Sequence, residues 1–261
     1  MIRSLQAEAV RLGRPKLWII TGALTAAYAA IATAIAIGTA EPAGSATPDA
    51  LPLQAFAGPG GGTAAITWVA GFAGIFVLAT FIANVAGDFS RGTFRAALLQ
   101  QPNRLSLLTG KLTALLAMVA ALLGLAMATG WAAAAVVAPG EDLSTSGWFG
   151  LDAFAEAAGD YGRVIAYAAG WAVLGTLIAV VFRSVPIGLA VGIVWAGPIE
   201  NVIGDSWDPA ASWFPGLLLR SLIGSNPEGV GAGRAGLTLA AYGVIALAII
   251  WYAVTHSDVT S

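Results

Sequence analysis

VIAYAAGWAVLGTLIAVVFRSVPIGLAVGIVWAGPIE, running from Val164 to Glu200, decides the architecture. Its only charges are Arg183 and, at the far end, Glu200. A membrane-spanning helix needs about 20 mostly apolar residues, so the stretch reads as two spans, 164–182 and 185–203, turned back on each other at Arg183 and Ser184. Pro198, Glu200 and Asn201 interrupt the far end of the second. Working outward, comparable runs occur at 17–37, 64–87, 112–137 and 236–256, giving six spans. Of the 261 residues 58% are hydrophobic and 10% charged, with mean hydropathy +0.81. A soluble domain carries about 25% charged residues. Irregular backbone facing lipid is excluded, so the expected class is an all-α integral membrane protein.

The charges are sorted by side. Arg3, Arg11, Arg14, Lys16, Arg91, Arg95, Arg104, Lys111 and Arg183 fall on one side, nine of the 12 basic residues. Of the 14 acids only Glu8, Asp88 and Asp258 join them. The positive-inside rule places both termini in the cytoplasm, consistent with an even number of spans. Most tryptophans lie near a span boundary or in an external loop, as headgroup anchors do; Trp171 and Trp195 lie deeper. The first apolar run is too long for a cleavable signal and reads as a retained helix. On the other side, 38–63 reads as an irregular Gly- and Pro-rich loop and 139–162 as an acidic loop with a short helix near Leu151–Ala158. Segment 204–235 holds the apolar stretch Trp213–Ile223, too short to span, which reads as re-entrant or interfacial. With no cysteine and the single histidine His256, disulfides, thiolate chemistry and His-ligated metal are excluded.

Residues 2–14 form an amphipathic pattern. Ile2, Leu5, Ala9, Val10 and Leu12 lie on one arc, and Arg3, Ser4, Ala7, Glu8, Arg11 and Arg14 on the other. The expectation is an interfacial helix with its cations toward headgroups, turned at Pro15 into the first span. Between the second and third spans lies GDFSRGTFRAALLQQPNRLSLLTGKL, Gly87 to Leu112. It opens with Asp88, continues through Phe89, Arg91, Gly92, Thr93, Phe94 and Arg95 into an apolar edge, and breaks at Pro102. On its own it reads as a short helix across the basic membrane face, or as an ordinary positive-inside loop.

The pattern of Asp88, Gly92, Thr93, Arg95, Pro102, Arg104, Gly110 and Lys111 resembles the segment after the second helix in ABC-2 type transporter permeases. In that family the leading acid is usually Glu, where this chain has Asp88. The amphipathic start, the six helices and the segment before the last span resemble the same family in topology, while the tail from His256 is less basic than usual. The resemblance implies a permease that pairs with a second copy or a similar chain. A separate cytoplasmic ABC ATPase would bind each half and carry ATP and magnesium, this chain itself holding no cofactor. Residues 1–16 would be the elbow helix, with Arg3, Leu5, Arg11 and Arg14. Residues 88–104 would be the coupling segment, with Asp88, Phe89, Arg91, Gly92, Thr93, Phe94 and Arg95 meeting the ATPase. The chain lacks G-x-x-x-x-G-K-[ST], so nucleotide is not expected to bind it.

Gly188 and Gly192 form a G-x-x-x-G in the fifth span, suited to close helix packing at a dimer interface or within the chain. Asn84, Glu200 and Asn201 are candidates for lining a path. For Glu200 the simpler expectation is a solvated place among headgroups, and for Asn84 a helix–helix hydrogen bond. No hydrolase or metalloprotease motif appears, so an enzyme is not expected. The expected whole is one permease domain over 1–261 in a bacterial or archaeal cell membrane, exporting a drug, peptide antibiotic or lipid, surrounded by lipid and without nucleic acid. An ATP-independent transporter or channel, or a non-transporting immunity protein, shares the topology.

Overall fold

A computed structural model describes residues 2–42, 51–100, 103–207, 209–225 and 230–256, without the side chains of 2–4 and 100. Pro102 and the tail 257–261, both used in the sequence comparison, lie outside the described residues, as does the side chain of Arg3. The described residues form helices α1 (Ile2–Leu12), α2 (Pro15–Gly38), α3 (Gly61–Ser90), α4 (Thr93–Gln100), α5 (Arg104–Val137) and α6 (Leu151–Phe182). These are followed by α7 (Val185–Val194), α8 (Glu200–Ser206), α9 (Ala210–Trp213), α10 (Pro215–Leu222) and α11 (Ala232–His256). A π turn, Trp195–Ile199, joins α7 to α8. Six helices are long and apolar enough to cross a membrane: α2, α3, α5, α6, the α7–α8 unit and α11. The chain is a multi-pass, all-helical membrane protein; the described residues contain no strand, only an isolated bridge between Glu41 and Pro52.

The centre of the bundle is the α3–α6 pair, with α5 and α7 also against α3 and α2 laid along α5. Small residues allow this approach. A Cβ on Gly175 of α6 would stand 2.7 Å from the Leu78 carbonyl oxygen and 3.1 Å from Phe81 Cβ, so the helices meet nearly backbone to backbone. Gly74 of α3 likewise makes room for the rings of Tyr167 and Trp171. Gly188 and Gly192 do the same for α7. Both face Ile82 of α3, and both are buried. The G-x-x-x-G pair therefore serves packing within the chain and is not free to form a subunit interface. The opposite face of α7, with Ile187, Val191 and Val194, is exposed.

Two ends can be distinguished by charge. At the basic end, Arg104 donates to the Val254 carbonyl (3.2 Å) and Arg183 to that of Ala253 (3.4 Å). Those carbonyls lie in the last turn of α11, where unpaired acceptors favour cations. Arg183 also sits over the Phe89 ring at 5.4 Å. At the acidic end, Trp148 is fully buried and donates to the Phe56 carbonyl (3.1 Å), pinning the 3₁₀ turn Leu53–Phe56 over the start of α3. Trp148 is thus a core residue and not a headgroup anchor. The short helix expected at Leu151–Ala158 is the uninterrupted first part of α6. At 32 residues, α6 exceeds the hydrocarbon thickness, and its acidic first turns extend past the apolar window.

Gly175→Val should destabilise the chain by about 1–3 kcal/mol through overpacking of α3 against α6. Gly159→Ala on the same helix, where an added Cβ meets nothing within 4 Å, should be neutral or slightly stabilising. Thermal unfolding of the detergent-purified variants checks both.

Candidate functional site

The site is built where α3 leaves the bundle. Its last turn carries Asp88 and Phe89, and Gly92, in the left-handed region at φ +69°, reverses the chain into α4. A side chain is strained there, which accounts for glycine at the turn. Thr93 at the start of α4 donates its hydroxyl to Asp88 Oδ1 at 3.0 Å. Phe94 is buried and packs on Phe89, ring centroids 4.7 Å apart. α4 is thereby pinned flat against the end of α3 by one polar and one aromatic contact. Asn103 caps α5, accepting from the Ser106 N–H at 2.9 Å. Two turns further on, Lys111 is 4% exposed.

A buried ammonium requires compensation. Lys111 Nζ lies 2.6 Å from Asp88 Oδ2 and 3.5 Å from Glu8 Oε1 of α1. Arg11 completes the cluster, with Nε 3.0 Å from Glu8 Oε2, Nη1 3.7 Å from Asp88 Oδ1, and Nη2 donating to Asn84 Oδ1 at 3.0 Å. Two acids and two bases from α1, α3 and α5 cancel, and Thr93 ties α4 to the same carboxylate. A pocket of about 50 Å³ beside them is lined by Glu8, Asp88, Lys111, Phe89, Phe94 and Leu108, among others. It has room for a few water molecules. The arrangement is a polar joint between α1, α3, α4 and α5; among the described residues no group of three or more His, Cys, Asp or Glu could hold a metal.

Several expected site residues meet here and others do not. Asp88, Phe89, Thr93 and Phe94 are brought together, but Phe94 is an internal anchor and offers no surface to a partner. The outward face near α4 consists of Arg91, Arg95, Ala96 and Leu99, all exposed. On α1, Leu5 and Leu12 pack into the core, Arg14 is exposed, and Val10 is 79% exposed. Arg11 does not point to headgroups; it turns inward with Glu8, because the helix packs along the border of its two arcs. Asn84 accepts from Arg11 of α1, the helix–helix hydrogen bond expected of it, and its Nδ2 donates to the Thr80 carbonyl (2.9 Å).

Glu200 is also corrected: it is 2% exposed, far from solvated, and accepts from Trp195 Nε1 (2.7 Å) and the Gly216 N–H (3.1 Å). Asn201 accepts from Arg220 at 2.9 Å. Glu8 and the charge role of Lys111 were not singled out from sequence. The available signal was a lysine about two turns inside an apolar helix, which needs a carboxylate partner. Compared with known proteins, the chain matches no family model, no curated protein and no solved structure.

Lys111→Met should destabilise the fold by about 1–3 kcal/mol, because Asp88 loses its short bond to a buried ammonium and only Arg11 remains to balance two part-buried carboxylates. Combined with Asp88→Asn, the loss should fall below the sum of the single losses. Equal additive losses in a double-mutant cycle of unfolding free energies would show that the two charges do not act as a pair.

Proposed function

We propose that the chain is the membrane subunit of an ATP-driven exporter of the ABC-2 kind, working as a pair of permeases with a separate cytoplasmic ATPase on each. The observation that carries this reading is the joint around Asp88. A short basic helix lies exposed at one end of the bundle and is tied to three other helices through one carboxylate. Such a helix suits a surface on which an external motor pushes. Arg91, Arg95 and Leu99 would meet the ATPase, while Asp88, Thr93 and Phe94 hold α4 in place. α1 would act as the elbow helix, bonded to the joint through Glu8 and Arg11.

In this reading the basic end faces the cytoplasm of a bacterial or archaeal cell, as the positive-inside distribution supports. α10, with Trp213 to Ile223, would be the re-entrant element on the far side. An apolar or amphipathic cargo suits helices whose exposed residues are mostly apolar along α2, α7 and α11. Among α2's exposed residues are Ile20, Leu24 and Ile31. The ATP and magnesium would belong to the partner.

Co-purification of the tagged chain from its native membrane, followed by ATPase assay of the eluate, tests the reading. The wild type should bring down a vanadate-sensitive ATPase. Arg91→Glu combined with Arg95→Glu should reduce its recovery by at least about tenfold, since reversed interface charges oppose docking. The fold should be unaffected, because both side chains are exposed. Recovery of the same ATPase with the double variant would refute docking at this face. A chain that transports in liposomes without nucleotide would point to the ATP-independent alternative.

A further inference from the structure

At the acidic end, α7 is regular to Val194 and then widens into the π turn Trp195–Ile199, which contains Pro198. Proline lacks an N–H and its ring crowds the carbonyl four residues back, so the helix cannot keep its ordinary pitch there. Asn201 Nδ2 donates to the Gly197 carbonyl at 2.6 Å, taking up an acceptor in the widened turn. An extra residue in the turn rotates everything after it by about 100°. That rotation accompanies the inward position of Glu200.

The Gly216 N–H lies in the first turn of α10, where helix amides have no partner of their own and a carboxylate is favoured. Glu200 supplies that acceptor from 16 residues away. The next residue, Asn201, holds the other end of α10 through Arg220. Between them Gly204 faces Leu217, and Trp195 and Trp207 flank Phe214 with centroids 5.6 and 5.9 Å away.

The other sides of α10 are held by different helices. Leu219 lies over Gly170 of α6 and Gly216 lies beneath Trp171; α11 packs on α10 and also holds α9, where Tyr242 donates to the Trp213 carbonyl at 3.0 Å. α10 therefore belongs to the α6–α11 block. α8 packs chiefly on α9 and α10, and its polar attachments to α10 come from two adjacent residues.

We infer that α8 is a hinged flap: the π turn around Pro198 is its hinge, and the bonds of Glu200 to Gly216 and of Asn201 to Arg220 are the latch that closes it on α10. Release uncovers the seam lined by Trp195, Glu200, Gly216 and Leu217 and opens the acidic end. This goes beyond the transport reading and is testable on the purified chain without any ATPase. In an exporter the seam would be the exit.

The chain has no cysteine, so spin labels can be placed pairwise without background. Val202 on α8 (63% exposed) and Leu237 on α11 (76% exposed) report the flap against the block. Leu151 on α6 (89% exposed) and Leu237 form the reference pair within the block. Glu200→Ala removes the acceptor. Gly216→Ala keeps every charge but drives a Cβ into the Glu200 carboxylate.

Pulsed dipolar distances in detergent should show a second, longer Val202–Leu237 population in both variants. It should be enriched about tenfold or more over wild type, the scale set by losing hydrogen bonds to a charged group. The Leu151–Leu237 distances should stay unchanged. Wild-type Val202–Leu237 distances in both variants would overturn the latch. Equal broadening of both pairs would overturn it too, showing general loosening instead of a flap. If Glu200→Ala does not fold, Gly216→Ala and Asn201→Ala decide between the same outcomes.

Discussion

A single ammonium sets the terms at the basic end. Lys111 is buried away from water, so it holds two carboxylates, Asp88 of α3 and Glu8 of α1. Those acids then need their remaining charge met, and Arg11 meets it while reaching Asn84. One desolvation penalty thus dictates where four helices sit. α1 cannot float in the interface, because one face of it supplies half of the cluster. α4 cannot drift, because Thr93 shares the carboxylate that Lys111 uses.

At the acidic end the same rule works through backbone groups. A short helix buried in an apolar setting exposes amides that nothing in its own turn can satisfy. Glu200 satisfies one of them, and the π turn presents it inward. Trp148 does similar service for the carbonyl of Phe56. Asp160 accepts from Thr63 near the start of α3 and pairs with Arg163. Polar side chains at both ends are therefore spent on joints between elements, while the middle of the bundle is held by glycine-mediated contact.

What could be read from the chain follows from this division. The six spans were legible because lipid demands long apolar runs, and the tight turn at Arg183 and Ser184 because only two residues separate two of them. The short helix after α3 was legible from Gly92 and the apolar edge that follows. The helical wheel misplaced Arg11, because α1 packs with Leu5 and Leu12 in the core and with Glu8 and Arg11 on the charged cluster beside it. Pattern arguments assume the buried face is the greasy one. Glu200 was misplaced because a residue past Pro198 at the end of a span reads as headgroup depth, whereas α10 and Trp195 cover it there. Gly188 and Gly192 were correctly read as a close-packing pair, but a motif of small residues does not name its partner helix. The charge pairs Lys111–Asp88 and Lys111–Glu8 join residues 23 and 103 positions apart, beyond the reach of any local periodicity.

The two joints differ in what they permit. The cluster around Lys111 is neutral, multiply bonded and distributed over four helices, so a force on α4 passes to α3 through Thr93 and Phe94, and to α5 through Asp88. Lys111 cannot leave Asp88 without stranding an ammonium in an apolar setting, which favours keeping α3 and α5 together. The Glu200 seam joins two short helices through a few directional bonds next to a helix already weakened at Pro198. Local opening is drawn from regions where the regular backbone ladder is interrupted, as it is at the π turn beside this seam. α3 runs from one region to the other: Asp88 sits in its last turns, and Gly71 and Gly74, facing Tyr167, Trp171 and Ser225, lie on the way to its start. A multiply bonded joint and a sparsely bonded one thus sit on a shared central helix, and the proposed movement of α8 would start where the directional bonds are fewest.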